Sequence, residues 1–208
     1  MSQHFYLHPD NPQQRLIREA VKLLKSGGVM VYPTDSCYAI GCMIGNKEGM
    51  ERIRAIRGVD DKHLFTLICR DLSEISRFAL VDNKQYRMLK SVTPGGYTFI
   101  LEATKEVPRR LQHPKRSTIG LRVPEHAVVA LLLAELDEPI LSMTLQLPGD
   151  EYPLNDPEDI LERIGNRIDV MLDSGFCGIE STTVVDLTGA APELIRAGTG
   201  DIRRLGFE

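Results

Sequence analysis

Short apolar segments alternate with amphipathic ones along nearly the whole chain, and this alternation is what most constrains the fold. The apolar segments are rich in residues typical of strands and are bounded by turn residues. Because some predicted strands follow one another directly while others are separated by helices, the pattern predicts an α/β protein with a mixed parallel and antiparallel sheet. Strands are predicted at Val29 to Tyr32, Phe65 to Cys69, Tyr97 to Glu102, Thr118 to Val123, Pro139 to Ser142, Ile168 to Leu172, Thr182 to Leu187 and Glu193 to Arg196.

Helix-capping residues divide the amphipathic segments into separate helices. The first helix is predicted to have Asn11 as its cap and Pro12 at its first position, and to end at Gly27-Gly28. Pro124 is predicted to start a strongly apolar helix through Leu136. No linker or internal repeat interrupts the pattern, so residues 1–208 are predicted to form a single domain. Further helices are predicted from Asn46 to Ile56, after the caps Asp71 and Asp82, and from Asp156-Pro157 to Ile164.

Composition agrees with a soluble globular protein, with 42% hydrophobic and 26% charged residues. A chain of this length buries about 70% of its unfolded surface and needs no metal or disulfide to fold. The amino terminus has no signal pattern, and the longest apolar run, Ala127 to Ala134, is too short to span a bilayer. We therefore expect a cytoplasmic protein with no membrane partner. The four cysteines form no C-x-x-C pair, which favours reduced thiols.

The formal net charge is −4, but the charged residues are distributed unevenly along the chain. Six basic residues and one acidic residue lie between Lys105 and Arg122, whereas thirteen acidic residues lie between Glu135 and Asp186. A basic face of this kind would attract a polyanion. Two ordinary solvated surfaces would give the same pattern, and composition alone leaves both interpretations open.

Polar residues follow the predicted strand at Val29 to Tyr32. The loop Pro33-Thr34-Asp35-Ser36 places two hydroxyls where they could bond a ligand without competing with the sheet. The same residues could form a satisfied turn in which Asp35 bonds its own backbone. The loop by itself does not decide between these interpretations.

Four further segments match the sequence motifs of one known family, in the same order. They are Thr93 to Leu101, Ile119 to Pro124, Ser181 to Asp186 and Ile195 to Gly198. Together with the Pro33 loop they resemble the YrdC/YciO family over about residues 12–200. The best-known members of that family make threonylcarbamoyl-adenylate for tRNA modification. The resemblance implies a twisted mixed sheet flanked by helices, with a concave basic surface.

The resemblance also implies which residues would line one pocket, although it indicates no catalytic residue and no metal site. No tightly bound cofactor is implied, and ATP and Mg²⁺ are the exchangeable ligands that a synthase would use. The nucleotide-binding positions are Arg57, Lys62, Ser142, Thr144, Thr182 and Arg196, and the threonine-binding positions are Thr34, His63, Thr98 and Arg122.

Two departures from the synthase pattern favour the YciO branch of the family. A lysine-x-arginine pair of the synthases corresponds here to Arg57-Gly58-Val59, and a serine-x-asparagine pair to Ser142-Met143-Thr144. Losing an arginine at Val59 removes a permanently charged, bidentate phosphate ligand. We therefore expect weakened synthase activity.

Three functions remain as hypotheses. The leading one is a YciO-type protein that binds structured or double-stranded RNA and keeps a nucleotide pocket. The alternative is a working threonylcarbamoyl-AMP synthase that uses threonine, bicarbonate and ATP, and a third is hydrolysis of a related adenylate or modified nucleoside. The expected partners are RNA and a nucleotide, and the oligomeric state is left open. The RNA-binding residues are predicted to be Lys105, Arg109, Arg110, Lys115 and Arg116.

Overall fold

The structure, a computed structural model, describes residues 2–208 and consists of one twisted sheet with helices packed against it. The sheet has ten strands in the order β1-β8-β2-β3-β7-β4-β6-β5-β9-β10. This architecture confirms the predicted α/β class. The strands are β1 Gln3–Tyr6, β2 Met30–Tyr32, β3 Ala39–Met43, β4 Thr66–Ile68, β5 Tyr97–Glu102, β6 Thr118–Arg122, β7 Ile140–Thr144, β8 Val170–Asp173, β9 Thr183–Asp186 and β10 Glu193–Arg196.

Pairing directions are mixed, as the alternation of elements predicted. Strands β1, β8 and β2 are parallel, and β2, β3, β7 and β4 then pair antiparallel. Beyond them, β4 and β6 are parallel, as are β5 and β9, while β6 pairs antiparallel with β5 and β9 with β10. Strands distant in sequence thus become neighbours at the centre of the sheet.

Six helices flank the sheet, and four predicted caps are confirmed. Side chains of Asn46, Asp71, Asp82 and Asp156 accept hydrogen bonds from the first-turn backbone of their helices, satisfying otherwise unpaired N–H groups. The helices are α1 Gln14–Lys25, α2 Lys47–Arg57, α3 Leu72–Phe78, α4 Asn83–Val92, α5 Ala127–Leu136 and α6 Pro157–Ile164.

The helices cover the two sheet faces unequally. One face is buried by a large apolar cluster that includes residues of α2, α3, α4 and α6. On the other face, α1 and α5 pack against residues of β2, β3, β4, β7 and β8. Strands β5, β6 and β9 on that second face carry Thr98, Gly120 and Val184, which line a pocket. The uncovered part of this face is therefore where a ligand can reach the sheet.

Two predicted helix starts are wrong. Helix α1 begins at Gln14 with Gln13 at the cap position, because its first hydrogen bonds run from the N–H groups of Leu16 and Ile17 to the Gln13 carbonyl. Helix α5 begins at Ala127 rather than Pro124. The Glu125 N–H donates to Asp35 Oδ2 at 2.9 Å, which keeps this stretch outside the helix.

Two strands were missed by the sequence analysis. Strand β1 is a partly exposed edge strand with little apolar content, and β3 pairs with β2 and β7 from a segment interpreted as loop. Both strands are held by partners from other parts of the chain, so the residues of β1 and β3 alone give little indication that they form strands. Across residues 2–208, no helix is long and apolar enough to cross a bilayer, and no group of three or more potential metal ligands is found.

Candidate active site pocket

The pocket is a cavity of about 320 Å³ above the uncovered part of the sheet. Five cross-strand neighbours form a row along its floor: Ser142 on β7, Thr66 on β4, Gly120 on β6, Ile100 on β5 and Asp186 on β9. Directly opposed residues project to the same face of a sheet. At about 4.8 Å per strand the row spans roughly 19 Å. The floor changes along the row from hydroxyls, through an open glycine, to an apolar side chain and a carboxylate.

Arg122 at the end of β6 is buried, with 6% of its surface exposed, and is held by the loop after β2. Its Nη2 donates to the Asp35 carboxylate and to Ser36 Oγ, the latter at 3.0 Å. No atom of residues 2–208 accepts from the buried Arg122 Nε.

The loop after β2 is a satisfied turn as well as part of the site. Thr34 Oγ1 donates to the Cys37 carbonyl at 2.6 Å and accepts from the backbone N–H groups of Ser36 and Cys37. Asp35 does not bond its own backbone, because both its oxygens are used by Arg122 and Glu125. The turn fixes the carboxylate that orients Arg122.

A second arginine lies at the end of α2. The Arg57 guanidinium donates to the Gln146 carbonyl, and its buried Nε has no acceptor within residues 2–208. Burial lowers the pKa of Arg57. Burial and the charges of Arg57 and Arg54 also lower the pKa of His63, against the opposite effect of Asp60, so His63 favours the neutral form.

Hydroxyl pairs lie at both ends of the pocket, and a third arginine lies beside one of them. The Thr98 and Thr182 hydroxyls are hydrogen-bonded at 2.8 Å, and Arg196 donates from Nε and Nη2 to the Thr182 carbonyl at 3.1 and 3.0 Å. The Tyr32 hydroxyl donates to Ser142 Oγ at 2.6 Å. These bonds fix the side chains that a ligand would meet.

The last part of the pocket is acidic. Asp186 is buried, and its Oδ1 accepts from the backbone and hydroxyl of Thr188 at 2.9 and 2.6 Å. Its Oδ2 lies 3.3 Å from Arg116 Nη1. Arg116 and His113, from the segment preceding β6, both line the pocket. The pocket is thus polar along its length. Arg57 and Arg122 lie away from the Asp186 carboxylate.

The structure brings together all but two of the ten residues expected to bind nucleotide or threonine. Thr34 contacts Arg122 at 3.4 Å beside the pocket, whereas Lys62 is exposed on a turn and does not line it. Val59 packs against the apolar core. The residues that line the pocket are Arg57, His63, Thr98, Arg122, Ser142, Thr144, Thr182 and Arg196.

Gly120 and Asp186 were not predicted from the sequence to line the pocket, whereas Cys37 lies in the predicted site loop and does line it. Gly120 could have been found from the period of two along β6, which puts it on the same face as Arg122. Cys37 is buried, and burial raises the pKa of its thiol. That shift opposes a thiolate nucleophile at neutral pH.

The predicted RNA-binding residues divide into two groups. Lys105, Arg109, Arg110 and Lys115 are exposed, and none of them takes part in an ion pair within residues 2–208. Arg116 differs, because it pairs with Asp186, which also lines the pocket. The segment carrying these residues, which contains a 3₁₀ turn at Arg109–Leu111, therefore lies next to the pocket.

The fold and the pocket together define a single-domain α/β protein with a polar pocket on the open part of a mixed sheet. The chain belongs to the Sua5/YciO/YrdC family, whose model, described as "Telomere recombination", matches residues 22–198. It is 54% identical to the uncharacterized protein YciO of Escherichia coli, covering 98% of each chain, and the crystal structure of E. coli YciO superposes with a TM-score of 0.94.

More distant relatives have names or descriptions that refer to an enzymatic reaction or a bound ligand. A Coxiella burnetii protein named threonylcarbamoyl-AMP synthase is 31% identical over 76% of this chain and 84% of its own length. The structure of P. abyssi Sua5 complexed with L-threonine superposes with a TM-score of 0.86 at 22% identity, covering 95% of this chain and 58% of that one. At that identity the second likeness shows the fold alone.

Proposed function

We propose that the pocket binds an adenine nucleotide or an acyl-adenylate of the class that threonylcarbamoyl-AMP synthases make. The observation that carries this proposal is the set of three arginines, Arg57, Arg122 and Arg196, which line the same pocket as several hydroxyl side chains. Guanidinium groups beside hydroxyls suit an anionic ligand that also carries hydroxyl groups. The name of the Coxiella burnetii relative, threonylcarbamoyl-AMP synthase, agrees with this ligand class.

The length of the pocket floor supports a ligand larger than an amino acid. Its five-strand row spans roughly 19 Å, estimated from the usual strand spacing. A threonine would occupy only the part near Arg122, whereas an extended acyl-adenylate would reach from Ser142 toward Asp186. We therefore place the acyl or phosphate groups at the end of the pocket that holds Arg57 and Arg122.

Calorimetric titration with AMP, ATP and L-threonine tests this function. Arg196→Ala should weaken nucleotide binding by about 1.5 to 3 kcal/mol, the usual value for a hydrogen bond to a charged group. Arg203→Ala is the matched control, because Arg203 is 82% exposed and pairs only with Asp201. If the wild type binds none of the three ligands, the proposed function is wrong.

RNA binding is the second candidate function, and a separate observation favours it. Lys105, Arg109, Arg110 and Lys115 are exposed and free of ion pairs within residues 2–208, so their charges are available to phosphates. Because the same segment adjoins the pocket, we propose that RNA would bind along this rim. Contacts of this kind depend on backbone shape more than on base sequence.

The synthase reaction is the weaker alternative. Lys62 and Val59 follow α2, where the synthases carry phosphate-binding cations, yet neither lines the pocket. Arg57 is the cation that this segment contributes to the pocket, and its guanidinium is partly used by Gln146. Fewer available cations mean less stabilisation of the charge that develops on the phosphates during adenylate formation.

A further inference from the structure

Strand β1 forms one edge of the sheet, and no strand of residues 2–208 lies on its outer side. On its inner side the Leu7 N–H donates to the Asp173 carbonyl at 2.7 Å, and the Gln3 N–H is bonded to the same neighbouring segment. Because successive backbone groups along a strand point in opposite directions, those of His4 and Tyr6 face outward. Such an edge can hydrogen-bond a further strand.

The two edges of the sheet differ in how they are protected. Strand β10, at the opposite edge, carries Glu193 and Arg196, and its register with β9 shifts between Leu194 and Arg196. Charged side chains and irregular register are two of the devices that discourage an edge from pairing with another chain. Strand β1 has a regular register and contains no aspartate, glutamate, lysine or arginine. Only its shortness limits the pairing of this edge.

An open groove of about 610 Å³ is lined by residues of β1, the loop after β8 and the start of α6. Tyr6 and Phe176 line this groove, and their side chains are 70% and 77% exposed. The Tyr6 ring lies against His4, with ring centroids 4.1 Å apart, and His4 Nε2 is 2.8 Å from Asp173 Oδ2. The groove therefore offers a supported aromatic surface next to the unpaired backbone groups of β1.

The charge of the groove indicates what kind of chain fits it. Asp156, Glu158 and Asp173 line it, and of residues 2–208 no lysine or arginine does. Asp173 is used by His4 and by the Gly175 N–H, whereas the exposed Glu158 carboxylate takes part in no ion pair within the described chain. Pairing two copies through β1 would bring two acidic grooves together. Charge complementarity therefore favours a basic partner over a second copy.

We propose that β1 and this groove dock an extended segment of a protein partner that carries lysine or arginine residues. The segment adds to the sheet through the outward backbone groups of His4 and Tyr6. Its apolar side chains lie against Tyr6 and Phe176, and its cationic side chains face Glu158. The groove shares no lining residue with the pocket on the uncovered part of the sheet, so this surface is independent of the proposed function.

Fluorescence anisotropy with two labelled octapeptides tests the proposal on the full chain. One peptide alternates lysine with valine, and the other alternates glutamate with valine. The lysine peptide should bind about tenfold more tightly, and added salt should reduce this preference because it screens exposed charges. Tyr6→Pro removes one outward N–H at an edge position that tolerates proline, and it should weaken binding about tenfold. Tyr6→Ala keeps that N–H and should weaken binding less. Ile195→Ala, on the opposite edge, is the control that should change nothing.

Variants of exposed side chains keep the test valid if Tyr6→Pro fails to fold. Phe176→Ser should weaken binding of the lysine peptide, and Glu158→Gln should reduce the preference for lysine over glutamate. Glu162→Gln is the matched control, since Glu162 is exposed one turn further along α6 and does not line the groove. Equal binding of the two peptides, or binding unchanged by Phe176→Ser and Glu158→Gln, would overturn the proposal. Sedimentation velocity that shows self-association abolished by Tyr6→Ala would assign this edge to a second copy and would also overturn it.

Discussion

The buried guanidinium of Arg122 is paired with the carboxylate of Asp35, and this ion pair joins the end of β6 to the loop after β2. The second Asp35 oxygen accepts from the Glu125 N–H at 2.9 Å, so one carboxylate holds both segments. Arg122 therefore lines the pocket as a cation that is already neutralised. The attraction for an anion must come largely from Arg57 and Arg196.

Asp35→Asn should destabilise the protein by about 3 kcal/mol, since removing one partner leaves a buried charge uncompensated. Urea unfolding followed by circular dichroism measures the change in the free energy of unfolding. Asp137→Asn, which breaks the exposed pair with Arg70, should cost less than about 1 kcal/mol. Equal effects of the two substitutions would show that the buried pair does not hold the loops together.

Acid should destabilise the protein partly through His126. Its Nδ1 accepts from the Val128 N–H at 3.2 Å at the start of α5, and burial lowers its pKa despite the opposing charges of Asp35 and Asp10. A folded pKa below the unfolded value of about 6.5 means that the unfolded chain binds the proton more readily. The contribution to stability is therefore present above about pH 6.5 and is lost as the pH falls through the folded pKa.

His126→Asn separates this effect from other titrating groups, because asparagine caps a helix without taking up a proton. Between pH 7.5 and pH 5, the wild type should lose more of its free energy of unfolding than the variant, because the variant has no group in this place that takes up a proton. Urea unfolding at both pH values measures the difference. Parallel losses in the two proteins would contradict the assignment to His126.

Purified protein should form threonylcarbamoyl-AMP slowly or not at all with threonine, bicarbonate, ATP and Mg²⁺. Val59 packs against the core and Thr144 lacks the paired donor and acceptor of an asparagine amide. Pyrophosphate release, compared with an authentic synthase in the same assay, measures the rate. Comparable turnover would favour the synthase function, and restoration of modified tRNA in cells that lack their own synthase would confirm it.

Replacing Arg109, Arg110 and Lys115 with serine should weaken binding to duplex RNA and reduce its salt dependence. Each lost phosphate contact should flatten the slope of log affinity against log salt by roughly 0.7 to 0.9. Gel-shift titrations at several salt concentrations measure both quantities. Thermal stability should stay nearly unchanged because the charges are exposed.

The control for the RNA-binding prediction is a second triple variant, in which the exposed Arg15, Lys25 and Lys84 on α1 and α4 are replaced with serine. It removes the same charge from other surfaces. If both triple variants bind RNA alike, the stretch from Arg109 to Lys115 is a solvated surface and the RNA hypothesis fails. Arg116→Gln, made separately, should leave most RNA binding intact because Arg116 is engaged with Asp186.

Local sequence determined most of the secondary structure. The caps Asn46, Asp71, Asp82 and Asp156 were identified correctly because a capping side chain acts on backbone groups two or three residues away. The same locality explains the wrong start at Pro124. Asp35, about ninety residues distant, holds the Glu125 N–H, and no local pattern contains that contact.

The sequence by itself also determined the family and most of the residue types in the pocket, since ordered motifs are properties of the chain. Only the tertiary structure decided that Lys62 lies outside the pocket, that Arg122 is neutralised by Asp35, and that Gly120 and Asp186 share one row. The physical reason is that the row is built from five strands that come from separate parts of the chain. Their register is set by pairing and packing over the whole sheet, so the chemistry of the site emerges only when the sheet is assembled.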